Sequence, residues 1–436
     1  MSQRTLSEKE LGFGLAYPAP TTRRQGPIAH TFVEEDARQP LMTGAYVGLL
    51  LFYFIYFFRP EEFIPGLAVL PLAKIAGGLT AFALLGTILS GRVRLNTEIK
   101  LLLALFMDLC LCIPSSLWPG GSFRLVIVGF SKTVLAVIVT FWVLSTLGRL
   151  RTLIILQTCA MLIMALLALS RRPEAERMFG VGNMFRDPND FTLNLCIILP
   201  FCVALLLSSR AWPLKLFWTS AMGVTLFAIV STYSRGGFLA LAAVLLVIWR
   251  RFGGNFRTAL VLLVLIGSLA TAAVLVVGKS SYFDRMSTIA DPQADSSGSA
   301  SIHQQLLIRS LDVTLQHPFF GVGPGQFAQI SGSWRVTHNS YTQLSSEAGV
   351  PALLIFFLLI RRTFRNLRML RNEHKGSQTW YLARALDCAM ITYLVGAFFL
   401  STAYWLVPYL LVTYASALLR ISKDGNAKSF GSQCGI

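Results

Sequence analysis

Charged residues are scarce in this chain. Only 14% of its 436 residues are charged, 54% are hydrophobic, and the mean hydropathy is +0.60. Because an ordinary soluble domain has about 25% charged residues, this composition excludes that class. The apolar runs also lack the two-residue alternation of a membrane barrel, so only helices can satisfy the backbone in lipid. The sequence predicts an all-α integral membrane protein.

Several other signals are missing. The seven cysteines show no spacing typical of a disulfide framework or a metal site. The first forty residues contain no apolar core of about 7 to 15 residues, so no cleavable signal peptide is predicted. The formal net charge is +17, but Lys and Arg are spread over short loops and form no single stripe. Nucleic acid is therefore not expected as a partner.

The chain does contain a series of apolar runs that could cross a bilayer, which takes roughly 17 to 25 residues as helix. The segment "STYSRGGF" divides the run 214–250 because its arginine and two glycines favour a tight turn. About twelve transmembrane helices are predicted, at 41–58, 70–90, 99–117, 125–147, 152–170, 191–209, 214–232, 236–250, 257–278, 346–360, 380–401 and 404–420.

Basic residues predict the orientation, since Lys and Arg concentrate on the cytoplasmic side of short loops. Most of the 38 Lys and Arg residues lie on that side if both termini are cytoplasmic. The predicted organisation is a cytoplasmic polar tail at 1–40, spans one to nine within 41–278, a large external loop at 279–345, spans ten to twelve within 346–420 and a cytoplasmic tail at 421–436.

The large external loop contains a helical pattern, "IHQQLLIRSLDVTLQ". Its residues Leu306, Leu307, Leu311 and Leu315 recur at helical spacing. They predict an amphipathic helix that lies on the membrane or on the protein. The segment "HPFFGVGPGQF" ends this helix with proline and glycines.

Basic residues on the external face oppose the positive-inside bias. Arg186 in "MFRDPNDF", Arg235 in "YSRGGFLAL", Arg309 and His338 all fall there. Each arginine alone could cap a span and touch lipid phosphate, but such groups from separate loops favour an anion site. Because the planar fork of arginine matches two phosphate oxygens, a lipid diphosphate in the outer leaflet fits this site.

His338 stands directly before a predicted helix start. Asn339 and Ser340 are good N-cap residues, so the ring would lie near the positive helix end and stay neutral at pH 7. A neutral imidazole can act as a general base, which contributes roughly 10²–10⁴-fold in rate. The alternative is a solvent-exposed or hydrogen-bonded bystander. His303 and His317 are weaker candidates.

These segments carry a resemblance to a known family. "HNSYTQLSSEAGVPA" is similar to a pattern of His-Asn/Ser/Gly, nine residues and Gly-x-x-Gly, in which His338, Asn339 and Gly349 match and Ala352 replaces the second glycine. "RGGFL" is similar to an Arg-x-x-x-Leu element, and "FRDPNDF" and "HPFFGVGPGQF" resemble loops of the same proteins. The chain resembles the O-antigen ligase and O-antigen polymerase superfamily.

The resemblance implies an activity at the periplasmic face of the bacterial inner (cytoplasmic) membrane. An undecaprenyl-diphosphate-linked glycan would be transferred to an acceptor hydroxyl, of a glycan or a lipid A core, without metal or cofactor. His338 would take the proton, Arg186 and Arg235 would hold the diphosphate, and Arg309 and Asn339 are placed with them as substrate-binding residues. An O-antigen ligase, a polysaccharide polymerase and a protein O-oligosaccharyltransferase all remain open.

Other function classes rest on other charged residues. Asp108, Lys74, Lys132 and Asp387 lie in or near predicted spans, where ionisable groups often mark an ion path, so a secondary transporter is an alternative. A structural pair of Asp108 with Lys74 or Lys132 is the competing interpretation. A polytopic scaffold or receptor is a third class. Asp187 and Asp190 could also bind a cation.

Overall fold

A computed structural model describes residues 39–64, 66–89, 95–171, 178–181, 185–253, 260–261, 263, 267–268, 299–371, 373 and 375–433. These residues form helices and contain no strand, so the all-α prediction is confirmed for them. The helices are α1 Gln39–Phe58, α2 Leu72–Leu89, α3 Thr97–Leu111, α4 Pro119–Val143, α5 Leu147–Ser170, α6 Pro188–Ser208, α7 Trp212–Ser231, α8 Arg235–Phe252, α9 Ser299–Gln316, α10 Ser340–Leu370, α11 Gln378–Gly396 and α12 Leu406–Gln433.

Several helices begin where the sequence supplies a capping side chain. Asn96, Thr146 and Ser234 each accept a hydrogen bond from the backbone N–H three residues further on, and so start α3, α5 and α8. Asp187 caps α6, and Pro188 occupies its first turn without losing a hydrogen bond. The turn predicted in "STYSRGGF" is confirmed, because α7 ends and α8 begins within it.

Helix α6 lies at the centre of the described bundle. Its residues 191–205 are all buried, as expected of a helix that is apolar around its whole circumference. Helices α5, α7, α8 and α11 pack against it. Since α6 begins directly after Arg186 and Asp187, the central helix presents these two residues at one end of the bundle.

Six described helical segments are long and apolar enough to cross a membrane, namely Thr43–Glu62, Pro119–Val143, Leu147–Ser170, Pro188–Ser208, Trp212–Ser231 and Ser340–Leu370. Twelve spans are therefore not confirmed. Helix α3 has only 15 residues, and α8 carries Arg235, Arg250 and Arg251 at its two ends. Most of the predicted span 257–278 lies outside the described residues. Helix α12 continues past the predicted limit at 420 to Gln433.

Helix α10 begins at Ser340, where the sequence predicts a helix start, and is broken inside. The predicted loop extended to 345, whereas residues 340–345 are helical and mostly buried. Their polar side chains form hydrogen bonds with backbone groups that are remote in sequence. Ser340 Oγ donates to the Leu400 carbonyl at 2.6 Å, and Gln343 Oε1 accepts from Ala403 N–H at 3.2 Å. At Gly349 the backbone leaves the helical region, with φ 85° and ψ 174°.

The amphipathic helix predicted in the external loop is present as α9, but with a different buried face. Leu306, Ser310 and Val313 are buried, whereas Leu311 and Leu315 are 48% and 81% exposed. The buried residues follow the spacing i, i+4, i+7, and Leu306 and Val313 pack with Val322 and Phe327 of the following segment. Of the predicted leucines Leu306 therefore contacts the protein, whereas Leu311 and Leu315 are exposed.

The charged residues inside the bundle pair differently from the prediction. Asp387 forms an ion pair with Arg251, and Glu98 accepts from Arg362 Nε at 3.0 Å. Lys74 and Lys132 are exposed, and neither pairs with Asp108 among the described residues. The predicted structural pairs of Asp108 are thus wrong.

Candidate functional site

His338 lies immediately before the cap of α10 and has a left-handed backbone, with φ 48°. Such a conformation costs a residue other than glycine about 1–3 kcal/mol and persists where the surrounding structure enforces it. The flanking residues supply that constraint: Thr337 and Ser401 hydroxyls are hydrogen-bonded at 2.9 Å, and Ser340 N–H donates to the Ala397 carbonyl at 2.8 Å. The segment after α11 therefore fixes the position of His338.

Asn339 is the N-cap of α10, as predicted. Its Oδ1 accepts from the backbone N–H groups of Tyr341 at 2.9 Å and Thr342 at 3.1 Å, and its Nδ2 donates to the Phe398 carbonyl at 3.1 Å. The residue is only 3% exposed. Both polar atoms are engaged inside the protein, so Asn339 fixes the backbone beside His338; a substrate-binding role for Asn339 stays a prediction.

A second histidine lies against His338. The ring centroids of His303 and His338 are 4.6 Å apart and their planes are inclined by 34°. Both side chains are half-buried. His303 is brought here because α9 packs on α10. His303 was a weaker candidate in the sequence because it borders the low-complexity tract, and a separation of 35 positions gave no sign of the contact.

Burial is the main influence on both imidazoles. It lowers the pKa of His338 from its usual 6.5, while the charge of Asp187 raises this pKa and that of Arg335 lowers it. The pKa of His303 falls to about 4, mainly through burial; the charges of His338, Arg235 and Arg335 also lower it, and that of Asp187 raises it. A neutral His338 ring at pH 7 agrees with the prediction, but desolvation and not the helix dipole is the main cause.

The starts of α6 and α8 are joined beside these rings. Ser234 Oγ, at the cap of α8, donates to Asn189 Oδ1 in the first turn of α6 at 2.6 Å. The bond brings Asp187 and Arg235 to the same end of the bundle, where both act electrostatically on His303. Arg186 directly precedes Asp187 and is exposed.

An open cavity of about 940 Å³ adjoins the junction. Arg186, Asp187 and Asp190 line it on one side, and Arg59 and Trp405 are among the residues that line the remainder. The cavity thus combines cationic, anionic and aromatic groups, which suits a ligand with both phosphate and sugar parts. The sequence did not single out Arg59, because Glu61 and Glu62 beside it suggest a local ion pair; Arg59 Nη1 indeed lies 2.9 Å from Glu62.

Arg309 is engaged away from this cavity. Its Nη1 donates to Asp312 at 2.8 Å and its Nε to the Ile330 carbonyl at 3.3 Å. It is not among the residues that line the cavity. A substrate-binding role for Arg309 stays a prediction. Within the described ranges no three His, Cys, Asp or Glu residues are grouped to hold a metal ion.

The unwound turn of α10 is hydrogen-bonded to the loop that precedes His338. Val322 N–H donates to the Ser346 carbonyl at 2.9 Å, Val350 N–H to the Pro318 carbonyl at 2.7 Å, and Gly325 N–H to Glu347 Oε2 at 2.9 Å. The segment "HPFFGVGPGQF" is therefore attached along the unwound turn of α10. Glycine at position 349 is required both by its φ of +85° and by the Phe319 carbonyl, whose oxygen would lie 2.3 Å from an added Cβ.

Gly349→Ala should destabilise the protein by about 2 kcal/mol or more, because the methyl group meets backbone and the φ is strained. Thermal unfolding in detergent measures the effect. Gly78→Ala is the matched control: its Cβ would meet nothing within 4 Å, and alanine favours the interior of α2. Equal melting temperatures for Gly349→Ala and the unsubstituted protein would contradict this role of the break.

Comparison with known protein families concerns this same part of the chain. Residues 220–357 match the O-antigen ligase family. The match confirms the resemblance to the O-antigen ligase and polymerase superfamily. It includes Arg235, His303, His338 and Gly349, whereas Arg59 and Arg186 lie before it. No curated protein matches the chain. The O-antigen ligase region therefore contains both histidines and the broken helix, and the cavity adds residues from outside it.

Proposed function

We propose that this protein is a membrane glycosyltransferase of the O-antigen ligase type. It would transfer a glycan from an undecaprenyl-diphosphate-linked donor to an acceptor hydroxyl at the periplasmic membrane face. The observation that carries the proposal is the position of His338. This residue is half-buried, lies within the O-antigen ligase region, and has a lowered pKa that the charge of Asp187 partly opposes. Asp187 in turn lines the cavity that contains Arg186 and Arg59.

In the proposed reaction the acceptor oxygen attacks the anomeric carbon of the donor sugar. The hydroxyl proton passes to an imidazole nitrogen of His338, and the bond between the anomeric carbon and the diphosphate oxygen breaks. The lipid diphosphate leaves with the bonding electron pair. His338 acts as general base, and the imidazolium that forms is stabilised by the nearby charge of Asp187.

The leaving diphosphate gains negative charge as its bond breaks. Arg186 and Arg235 stand at the starts of α6 and α8, where the positive ends of the helix dipoles also favour an anion. Their guanidinium groups would bind the diphosphate oxygens and stabilise the charge that develops. Arg59 also lines the cavity, paired with Glu62 at 2.9 Å.

The cavity is large enough for more than a phosphate group. Its volume of about 940 Å³ is at the upper end of the range of about 300–1,000 Å³ for small-molecule sites. The Trp405 ring offers an apolar face for a sugar ring, and the carboxyl groups of Asp187 and Asp190 can form hydrogen bonds with sugar hydroxyls. We assign the cavity to the diphosphate and the first sugar of the donor.

Transfer by the purified protein in lipid nanodiscs tests the proposal. A lipid-diphosphate-linked glycan is offered with one of three acceptors: a lipid A core, a second lipid-linked glycan or a peptide with serine residues. The acceptor that gains sugar distinguishes ligase, polymerase and protein O-oligosaccharyltransferase. Intact donor with all three acceptors, in protein shown to bind the donor, would overturn a glycosyltransferase function.

The proposed topology has both termini in the cytoplasm and His338 on the periplasmic side. A cysteine introduced at Ser333, which is exposed before His338, should react with a membrane-impermeant maleimide in intact spheroplasts. One at Lys375, exposed between α10 and α11, should react only after lysis. The unsubstituted protein controls for its own cysteines. Labelling of the Lys375 position in intact spheroplasts would contradict the orientation.

A further inference from the structure

The pair of histidines suggests how the general base is oriented. His338 precedes α10, and His303 projects from α9 so that the two ring centroids are 4.6 Å apart. We infer that His303 is a positioning residue for His338, whose imidazole covers one face of the His338 ring and holds it towards the acceptor hydroxyl. The inference rests on the proposed function, because it assumes that His338 takes the proton.

The geometry of the pair is that of two closely packed, mutually tilted rings. A centroid distance of 4.6 Å with planes inclined by 34° falls within the range of offset aromatic contacts, about 4.5–7 Å. Stacking restricts rotation of the His338 side chain. It also excludes water from one face of the ring, and this contributes to the burial that lowers the pKa of His338.

The charges around the pair favour a neutral His303. Arg235 at the start of α8 and Arg335 in the segment before α10 lower its pKa, and Asp187 at the cap of α6 only partly opposes them. With burial the pKa falls to about 4. His303 is therefore uncharged at neutral pH, where it can support the ring of His338 without competing for the proton or repelling the imidazolium.

Helix α9 is anchored independently of the His303 ring. Leu306 and Val313 on its buried face are 3% and 1% exposed, and the hydroxyls of Thr314 and Ser345 are hydrogen-bonded at 2.8 Å between α9 and α10. Replacement of His303 should therefore leave α9 in place and alter mainly the surroundings of His338.

The test compares His303→Phe with His303→Ala in the transfer assay over pH 5 to 9. Phenylalanine keeps a stacking ring but cannot bind a proton; alanine removes the ring. We expect His303→Ala to lower kcat by about tenfold, because the base is no longer held in place, with little change in the KM for donor. His303→Phe should retain most of kcat. His317→Ala, at an exposed histidine beyond α9, is the matched control and should behave as the unsubstituted protein.

The pH profile of the His303 variants distinguishes a role in positioning His338 from a general structural effect. Without the ring, His338 becomes more hydrated and its pKa rises towards 6.5, so the acidic limb of kcat/KM should move to higher pH in His303→Ala and stay in place in His303→Phe. A His303→Phe variant as impaired as His303→Ala, or an alanine variant with unchanged kcat and pH profile, would overturn the inference. His338→Gln in the same assay distinguishes the two failures: its full activity refutes the base itself, whereas its inactivity beside unaffected His303 variants refutes only the role of His303.

Discussion

His338→Gln should lower glycan transfer by about 10²-fold or more while the donor still binds. Glutamine can donate and accept hydrogen bonds but cannot take up a proton at neutral pH, so the contribution of a general base, roughly 10²–10⁴-fold, is lost. Diphosphate binding depends on the arginines at the cavity and should survive. The measurement is the initial rate of transfer, run beside a donor-binding assay on the same preparation.

The pH dependence of the unsubstituted protein gives an independent check. The base works only when His338 is neutral, and burial lowers its pKa below 6.5. Transfer should therefore persist as the pH falls below 6.5 and decline only as it passes through the lowered pKa. His317→Gln, at the exposed histidine beyond α9, is the control for histidine loss in general. Transfer by His338→Gln at the rate of the unsubstituted protein would show that the residue does not abstract the proton.

Arg186→Lys and Arg235→Lys should each lower kcat/KM for the donor by about tenfold or more. Lysine keeps the positive charge but cannot form the two parallel hydrogen bonds of a guanidinium to phosphate. A hydrogen bond to a charged group contributes about 1.5–3 kcal/mol, and 1.4 kcal/mol corresponds to a factor of about ten. Because the charge on the diphosphate grows during the reaction, part of the loss should appear in kcat.

Two further arginine-to-lysine variants test whether the effect is specific to Arg186 and Arg235. Arg210→Lys, at an exposed arginine between α6 and α7, lies at the other end of α6 and should have no effect. Arg309→Lys tests the remaining prediction for a residue whose guanidinium contacts Asp312 and Ile330. Full activity of both Arg186→Lys and Arg235→Lys would show that these residues supply only positive charge, and would refute bidentate binding of the diphosphate.

Local patterns in the sequence were sufficient to predict those features that depend on interactions between neighbouring residues. Asn339 caps α10 and Ser234 caps α8 because each side chain bonds backbone two or three residues away. The apolar composition was likewise sufficient to predict helices. The predicted helix start directly after His338 is present. The lowered pKa of His338 agrees with the predicted neutral ring, but its main cause is burial.

The burial of the first two turns of α10 could not be predicted, because their residues are polar. In sequence Ser340, Gln343 and Glu347 are typical of a loop or an exposed turn. Their partners are the Leu400 carbonyl, the Ala403 N–H and the Gly325 N–H, which are 60, 60 and 22 positions away. Buried polar groups are tolerated only when such partners exist, and distance along the chain conceals these partners.

The sequence by itself determined the helical class, the superfamily resemblance and the general base candidate, because composition, capping and short motifs depend on neighbouring residues. Only the tertiary structure decided that His303 stacks on His338, that Asp187 acts on both rings, and that Arg59 shares a cavity with Arg186. These groups come from the residue after α1, from the residues before α6, from α9 and from the segment before α10. Their proximity follows from how the helices pack around α6, and packing depends on side-chain contacts between segments that no local pattern relates.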